Sequence, residues 1–243
     1  MTSFEGSVAI VTGSARGIGA AIAGDLRARG ARVLGVDVLA HNGLDAVVVG
    51  DLREEATVER CFAEAGELPG TLRVLVNSAF WAERGPLLQT TQAGWEQTLA
   101  VSLGCTWRMI RAFAPRAGND AAIVNLASVH SFGAVAGFAP YEAAKAAIVA
   151  LTRSAAVELG PTGIRCNAVA PGFVAVERNR AIWEDQSKLQ ALLRAYPLGR
   201  PGRPEEVASC VAFLASSESA FVTGSVLKVD GGMSAQLAEA MVR

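Results

Sequence analysis

Tyr141 and Lys145 stand four residues apart in Tyr141-Glu142-Ala143-Ala144-Lys145, a spacing that puts a phenol and an ammonium on one helix face, one turn apart. Such a pair can do acid–base chemistry. A free tyrosine titrates near pH ~10, and bringing it to neutrality requires roughly 4 kcal/mol of preferential stabilisation of phenolate. Lys145 can supply part of that. Ser128 lies 13 positions before Tyr141, just past the apolar run 121–126, where its hydroxyl can hold a substrate oxygen. A Tyr-x-x-x-Lys spacing also arises by chance as a surface pair, so the weight rests on what surrounds it.

A second set of residues precedes it. Thr12-Gly13-Ser14-Ala15-Arg16-Gly17-Ile18-Gly19 follows the apolar run 8–11 and opens a helical pattern, so peptide N–H groups and a helix dipole can face a pyrophosphate there. Gly13 permits the sharp turn, Gly17 lets the backbone approach phosphates, and Gly19 removes a side chain where helix meets strand. Asp37 comes 18 residues after Gly19, at the end of a second strand, where a carboxylate can accept the ribose hydroxyls of an adenosine. A 2′-phosphate is repelled by that charge, which favours NAD over NADP. Arg16 is the competing signal, since a guanidinium in the turn can pair with the phosphate.

The elements that must position these residues alternate along the whole chain. Apolar runs at 8–11, 32–38, 46–49, 72–76, 121–126, 165–169 and 226–229 read as strands, and 18–29, 54–65, 94–113, 141–158 and 204–215 as helices. This order predicts a single α/β domain over residues 1–243: a Rossmann-like, doubly wound, mostly parallel seven-stranded sheet with helices on both faces. Residues 1–125 form its cofactor-binding half and 126–243 its catalytic and substrate half. The stretch between Asp37 and Asp51 is too short for a full helix.

With 51% apolar residues, 22 Lys+Arg against 23 Asp+Glu and a formal charge of -1, the chain offers no electrostatic footprint for nucleic acid or an anionic membrane. A small-molecule alcohol or ketone is the expected partner. Cys61, Cys105, Cys166 and Cys210 are scattered singly, which suits a reducing compartment, and no apolar run approaches a membrane span. Met1-Thr2-Ser3-Phe4-Glu5-Gly6 shows no basic segment followed by an apolar one, so a cytoplasmic location is expected. Two histidines and unclustered cysteines leave no basis for a metal site.

Taken together, these motifs resemble the short-chain dehydrogenase/reductase family over nearly the whole chain. The likeness extends from Gly13, Gly17, Gly19, Ser128, Tyr141 and Lys145 to Asp51-Leu52, Asn167-Ala168-Val169-Ala170-Pro171-Gly172, residues 200–208 and Val229-Asp230-Gly231-Gly232. The resemblance implies an NAD(P)-dependent oxidoreductase in which Tyr141 is the base, Lys145 lowers its pKa and positions ribose, and Ser128 orients the oxygen. It also implies dinucleotide contacts from Gly13, Ser14, Arg16, Gly17, Ile18, Gly19, Asp37, Asp51, Leu52, Asn77, Ala79, Pro171, Gly172 and Val174, along with Tyr141 and Lys145. A homotetramer is implied too, with helices 94–113 and 141–158 meeting copies of themselves and the tail 234–243 reaching a neighbour.

Three positions depart from the family pattern. Asn77-Ser78-Ala79-Phe80 replaces Asn-Asn-Ala-Gly, Ser102 aligns with the asparagine that supports a relay water, and Val176 stands where a threonine is usual. They leave open a catalytically impaired dinucleotide-binding protein, and Arg16 leaves open an NADP-linked carbonyl reductase. Phe80, Trp81, His130, Phe132, Phe138, Phe173 and Trp183 are candidates for a pocket that takes a cyclic or dihydrodiol-type alcohol, with core or interface packing as the alternative.

Overall fold

The computed structural model describes residues 3–237. Seven strands form its centre: β1 (Ser7–Thr12), β2 (Arg32–Asp37), β3 (Ala46–Val49), β4 (Thr71–Asn77), β5 (Ala122–Leu126), β6 (Arg165–Pro171) and β7 (Val226–Val229). They pair in the order β3-β2-β1-β4-β5-β6-β7, and every pairing is parallel, so the sheet is wholly rather than mostly parallel. The order reverses between β1 and β4. That switch point is where open α/β sheets leave a crevice beyond the strand carboxyl ends.

The helices are α1 (Gly17–Ala28), α2 (Glu55–Glu67), α3 (Gln92–Leu99), α4 (Cys105–Phe113), α5 (Ala139–Leu159), α6 (Arg180–Trp183), α7 (Gln186–Leu193) and α8 (Pro204–Ala215). Val58, Cys61 and Phe62 of α2, Met109 and Phe113 of α4, and Ala155 of α5 bury against one face of the sheet. Ile22 and Leu26 of α1 and Val207 and Val211 of α8 bury against the other. A strand sandwiched this way needs no polar face, which is why residues 8–11 of β1 and 122–124 of β5 read as apolar runs.

Two features differ from the sequence expectation. The helix expected over 94–113 is α3 and α4 joined through a π-helical turn, Ala100–Gly104, which contains Ser102. The short helices α6 and α7 follow β6, where no helix was expected. They are too short for a 3.6-residue pattern to stand out. The segment between β2 and β3 is a loop, as its length required. Residues 238–243, the end of the tail expected to reach a neighbouring subunit, lie outside the described residues.

Candidate active site

β1 delivers its chain into the turn before α1. Gly13 takes φ 67°, and its N–H donates to Val36 O at 2.8 Å, so the turn is tied to β2. A Cβ on Gly19 would stand 2.0 Å from the Gly13 carbonyl oxygen, a distance no side chain can occupy. Asp37 sits opposite this turn. Its Oδ2 accepts the Ala15 N–H and its Oδ1 the Leu39 N–H, each at 3.0 Å. Two oxygens carry about four acceptor sites between them, so this carboxylate retains capacity for ribose hydroxyls. The arrangement fits a dinucleotide: a glycine cradle that a Cβ would fill, beside an aimed carboxylate.

Other expected cofactor contacts have partners of their own. The Ser14 hydroxyl lies 2.9 Å from His41 Nε2, Ile18 packs toward the core, and Leu52 is buried within it. Asp51 accepts from the Arg53 backbone at 2.8 Å and from its guanidinium at 2.6 and 2.9 Å, and the Arg53 side chain is the main influence holding its carboxyl below the usual range. Arg16 is exposed and makes no ion pair among the described residues. Asn77 donates to Asn125 Oδ1 at 2.9 Å, while its own Oδ1 is buried without a partner. Ala79 N donates to Thr12 Oγ1 at 3.0 Å, which fastens the β4 loop to β1.

The phenol and amine meet beyond β5. Ser128 accepts the His130 N–H at 3.2 Å, and its hydroxyl stands near enough to Tyr141 to influence the phenol. Burial pushes the Tyr141 phenol up, while Ser128 and the charges of Arg178 and Arg84 pull it down. Lys145 is buried, donates to Leu126 O, and lies 5.7 Å from the Tyr141 ring centroid. Burial, followed by the charge of Arg178, lowers its amine to about 7. A helix turn therefore places a buried base beside a phenol with a serine hydroxyl nearby, a set that can pass a proton to and from an alcohol oxygen.

Ser102 is buried in the π-helical turn that joins α3 and α4. Its hydroxyl donates to Trp81 O at 2.8 Å and accepts the Trp81 N–H at 3.3 Å, while its carbonyl accepts from Thr106 Oγ1 at 2.9 Å. The short side chain latches the β4 loop onto the π-helical turn.

The expected ring pocket divides. Phe80, His130 and Phe138 surround Tyr141, with ring centroids 5.9, 5.5 and 6.4 Å away. His130 Nδ1 lies 3.1 Å from Glu142 Oε1. Phe173 is elsewhere: the Tyr196 hydroxyl accepts its N–H at 2.8 Å, and it lines a separate cavity of about 110 Å³ with Leu198 and Val229. Trp183 donates to Val176 O at 2.9 Å and so braces the loop after β6. Phe132 is 50% exposed under Lys228, and Trp81 is 38% exposed. Pro171 ends β6, Gly172 packs on Asp230 and Tyr196, and Val174 is buried and bridges to Gly202. Val176 lies over the glycine turn, close to where a Cβ on Gly17 would stand.

Two residues absent from the sequence reading join the site. Arg178 stacks on Phe80 at 4.3 Å and Arg84 on Phe138 at 4.7 Å. Arg84 lies on an irregular segment and Arg178 in a single 3-10 turn, Glu177–Asn179, where no periodicity marks a side chain as facing a site.

Comparison with known proteins agrees with this geometry. The model of the enoyl-(acyl carrier protein) reductase family matches residues 13–234. The 3-oxoacyl-(acyl-carrier-protein) reductase of Salmonella typhimurium is 37% identical, over 95% of this chain and 98% of its own. The cis-4-hydroxycyclohexanecarboxylate dehydrogenase of Sinomonas cyclohexanicum is 39% identical, over 96% and 98%. Among solved structures, the aldohexose dehydrogenase of Thermoplasma acidophilum superposes with a TM-score of 0.88 at 31% identity, covering 96% of each chain. An Agrobacterium tumefaciens protein described as a 2-deoxy-D-gluconate 3-dehydrogenase, solved with bound NADP, gives the same score at 31% identity, over 96% and 98%. The chain belongs to the short-chain dehydrogenase/reductase family, oxidoreductases that act on alcohol and ketone groups with a nicotinamide cofactor.

Proposed function

We propose that this protein is an NAD-linked dehydrogenase of ring-bearing secondary alcohols, with Tyr141, Ser128 and Lys145 as its catalytic residues. The observation that carries the reading is the buried Lys145 amine one helix turn from a Tyr141 phenol that Ser128 is near enough to influence. The dinucleotide, when bound, supplies the hydride acceptor or donor. Ser128 holds the substrate oxygen, and Tyr141 takes its proton during oxidation and returns one during reduction. Lys145 receives charge from the phenol across the helix turn. Residues 1–125 supply the glycine cradle, Asp37 and Phe80, and residues 126–243 supply the proton-handling groups, within one domain. The rings of Phe80, Phe138 and His130 favour a cyclic carbon skeleton, as does the relative that acts on a hydroxycyclohexane. Trp107 on α4 and Val157 on α5, 47% and 78% exposed, support assembly as a homotetramer through those helices.

Asp37 supports NAD, because its carboxylate stands against the glycine turn where a 2′-phosphate would meet like charge. Exposed Arg16, and the NADP-bound structural relative, favour a second reading as an NADP-linked reductase. Steady-state kinetics with both cofactors separates them. Wild type is expected to prefer NAD by about a hundredfold in kcat/KM, and Asp37→Ser to erase most of that by gaining NADP activity. A wild type that prefers NADP would overturn the cofactor assignment.

A further inference from the structure

Arg84 and Arg178 approach the phenol from two sides. Each guanidinium stacks on a ring, Arg178 on Phe80 at 4.3 Å and Arg84 on Phe138 at 4.7 Å, and each ring in turn neighbours Tyr141. The two are close enough to influence one another and the phenol. Burial, then the charge of Arg84, pulls the Arg178 guanidinium below its ordinary value, and Arg16 adds to this. Neither arginine has a carboxylate within ion-pairing distance among the described residues. Many arginines elsewhere are matched, as Arg200 is with Glu206, Arg53 with Asp51 and Arg116 with Glu59; among the described residues Arg16 and several others are not, but Arg84 and Arg178 are the two whose guanidiniums stack on rings beside the phenol. The chain as a whole carries a formal charge of -1, so unpaired cations around one phenol do not follow from general basicity.

Both positions are held in place. The residues flanking Arg84 are fastened: Glu83 N donates to Thr98 Oγ1 at 3.0 Å, its carboxylate accepts from Thr91, and Gly85 N donates to Gly137 O at 3.1 Å. The loop carrying Arg178 is closed by Asn179, which accepts the Val176 N–H at 3.0 Å and donates to Val174 O at 2.8 Å. Gathering like charges at fixed points beside a desolvated phenol is unfavourable unless an anion occupies the space between them. Guanidinium groups on aromatic rings keep their N–H edges free for a carboxylate.

We propose that Arg84 and Arg178 recognise a carboxylate on the substrate, so that the enzyme acts on ring alcohols bearing an acid group. This deepens the dehydrogenase reading and rests on it for the position of the reacting carbon. The acid anchors one end of the ring at the arginines, which leaves the carbinol at the other end beside Tyr141 and Ser128. A second source of the same chemistry is the cofactor pyrophosphate, reached by Arg178 through its proximity to Arg16.

Binding tests this without turnover. Calorimetric titration of the NAD-loaded protein with cyclohexanecarboxylate and with cyclohexanecarboxamide is expected to show at least about tenfold tighter binding of the acid. Arg84→Gln and Arg178→Gln should each remove about tenfold from the acid and bring it close to the amide, and Arg84→Lys should restore part of the difference. Equal affinities, no binding of the acid, or a preference that survives both glutamine variants overturns the proposal. NAD titrated separately into Arg178→Gln tells the sources apart: weaker NAD binding with an intact acid preference assigns the arginine to the pyrophosphate and also overturns it. Failure of the dehydrogenase reading shows independently, as no reduced nicotinamide with any alcohol while the acid still binds.

Discussion

Tyr141→Phe is expected to lower turnover by about three orders of magnitude or more while leaving dinucleotide affinity within about twofold. The phenyl ring preserves contacts with Phe80, His130 and Phe138, so the pocket keeps its shape. What disappears is the hydroxyl near Ser128, and with it the only phenol in the site; the other tyrosine, Tyr196, is committed to the Phe173 backbone. Initial rates under saturating cofactor, with NAD binding followed by quenching of protein fluorescence, check both halves. A variant that keeps more than about a tenth of the rate removes Tyr141 from the proton path.

Lys145→Met is expected to lower turnover by about a hundredfold and to move the pH profile of alcohol oxidation toward higher pH. Burial, followed by Arg178, lowers the Lys145 amine to about 7, and burial raises the Tyr141 phenol. The first proton to leave the pair therefore leaves from the amine, and oxidation becomes competent as pH rises through about 7, when the neutral amine can accept charge from the phenol. Without the amine, only the raised phenol titrates, so residual activity should climb only in strongly alkaline solution. Stability carries the same signature with a defined sign. A base whose pKa is depressed by folding destabilises the fold fully below its folded value, and that penalty fades as pH rises toward the unfolded value near ~10.4. The Tm of Lys145→Met relative to wild type should thus be most favourable near pH 6 and fall steadily up to about pH 10. A pH-independent Tm difference together with an unmoved rate profile would make Lys145 a packing residue.

The parts of this site that lie in local patterns were readable from the chain. The glycine turn sits between an apolar run and a helical period, and Gly19 could be placed because helix and strand must touch there, which the 2.0 Å approach to Gly13 bears out geometrically. The spacing of Tyr141 and Lys145 reads directly as one helix face, and α5 carries both. The seven strands were legible because strands buried on both faces are written as apolar runs. Arg84 and Arg178 were not legible: Arg84 lies on an irregular segment shaped by Glu83 with Thr91 and Thr98, and Arg178 on a single 3-10 turn, Glu177–Asn179, too short to show a period. The partner of Ser102 was not legible for a related reason. A π-helical turn has the composition of ordinary helix, and the hydroxyl's partner, the Trp81 backbone, is 21 residues away. Phe173 and Trp183 read as pocket candidates by type, but the sequence did not show that the Tyr196 hydroxyl would hold the Phe173 backbone or that the Trp183 indole would brace the Val176 carbonyl. Aromatic character marks a residue as one that will be covered without saying by what.

The central claim is that a hydride passes between the substrate carbinol and nicotinamide while Tyr141 takes the proton. The most direct measurement uses a ring-bearing secondary alcohol deuterated at its carbinol carbon, incubated with NAD and the protein, with mass spectrometry of the nicotinamide and of the ketone. The expected result is deuterium in the reduced nicotinamide in equal amount to ketone formed, and neither product with Tyr141→Phe. Absence of deuterated nicotinamide across a panel of such alcohols, or its formation at an unchanged rate by Tyr141→Phe, would contradict it.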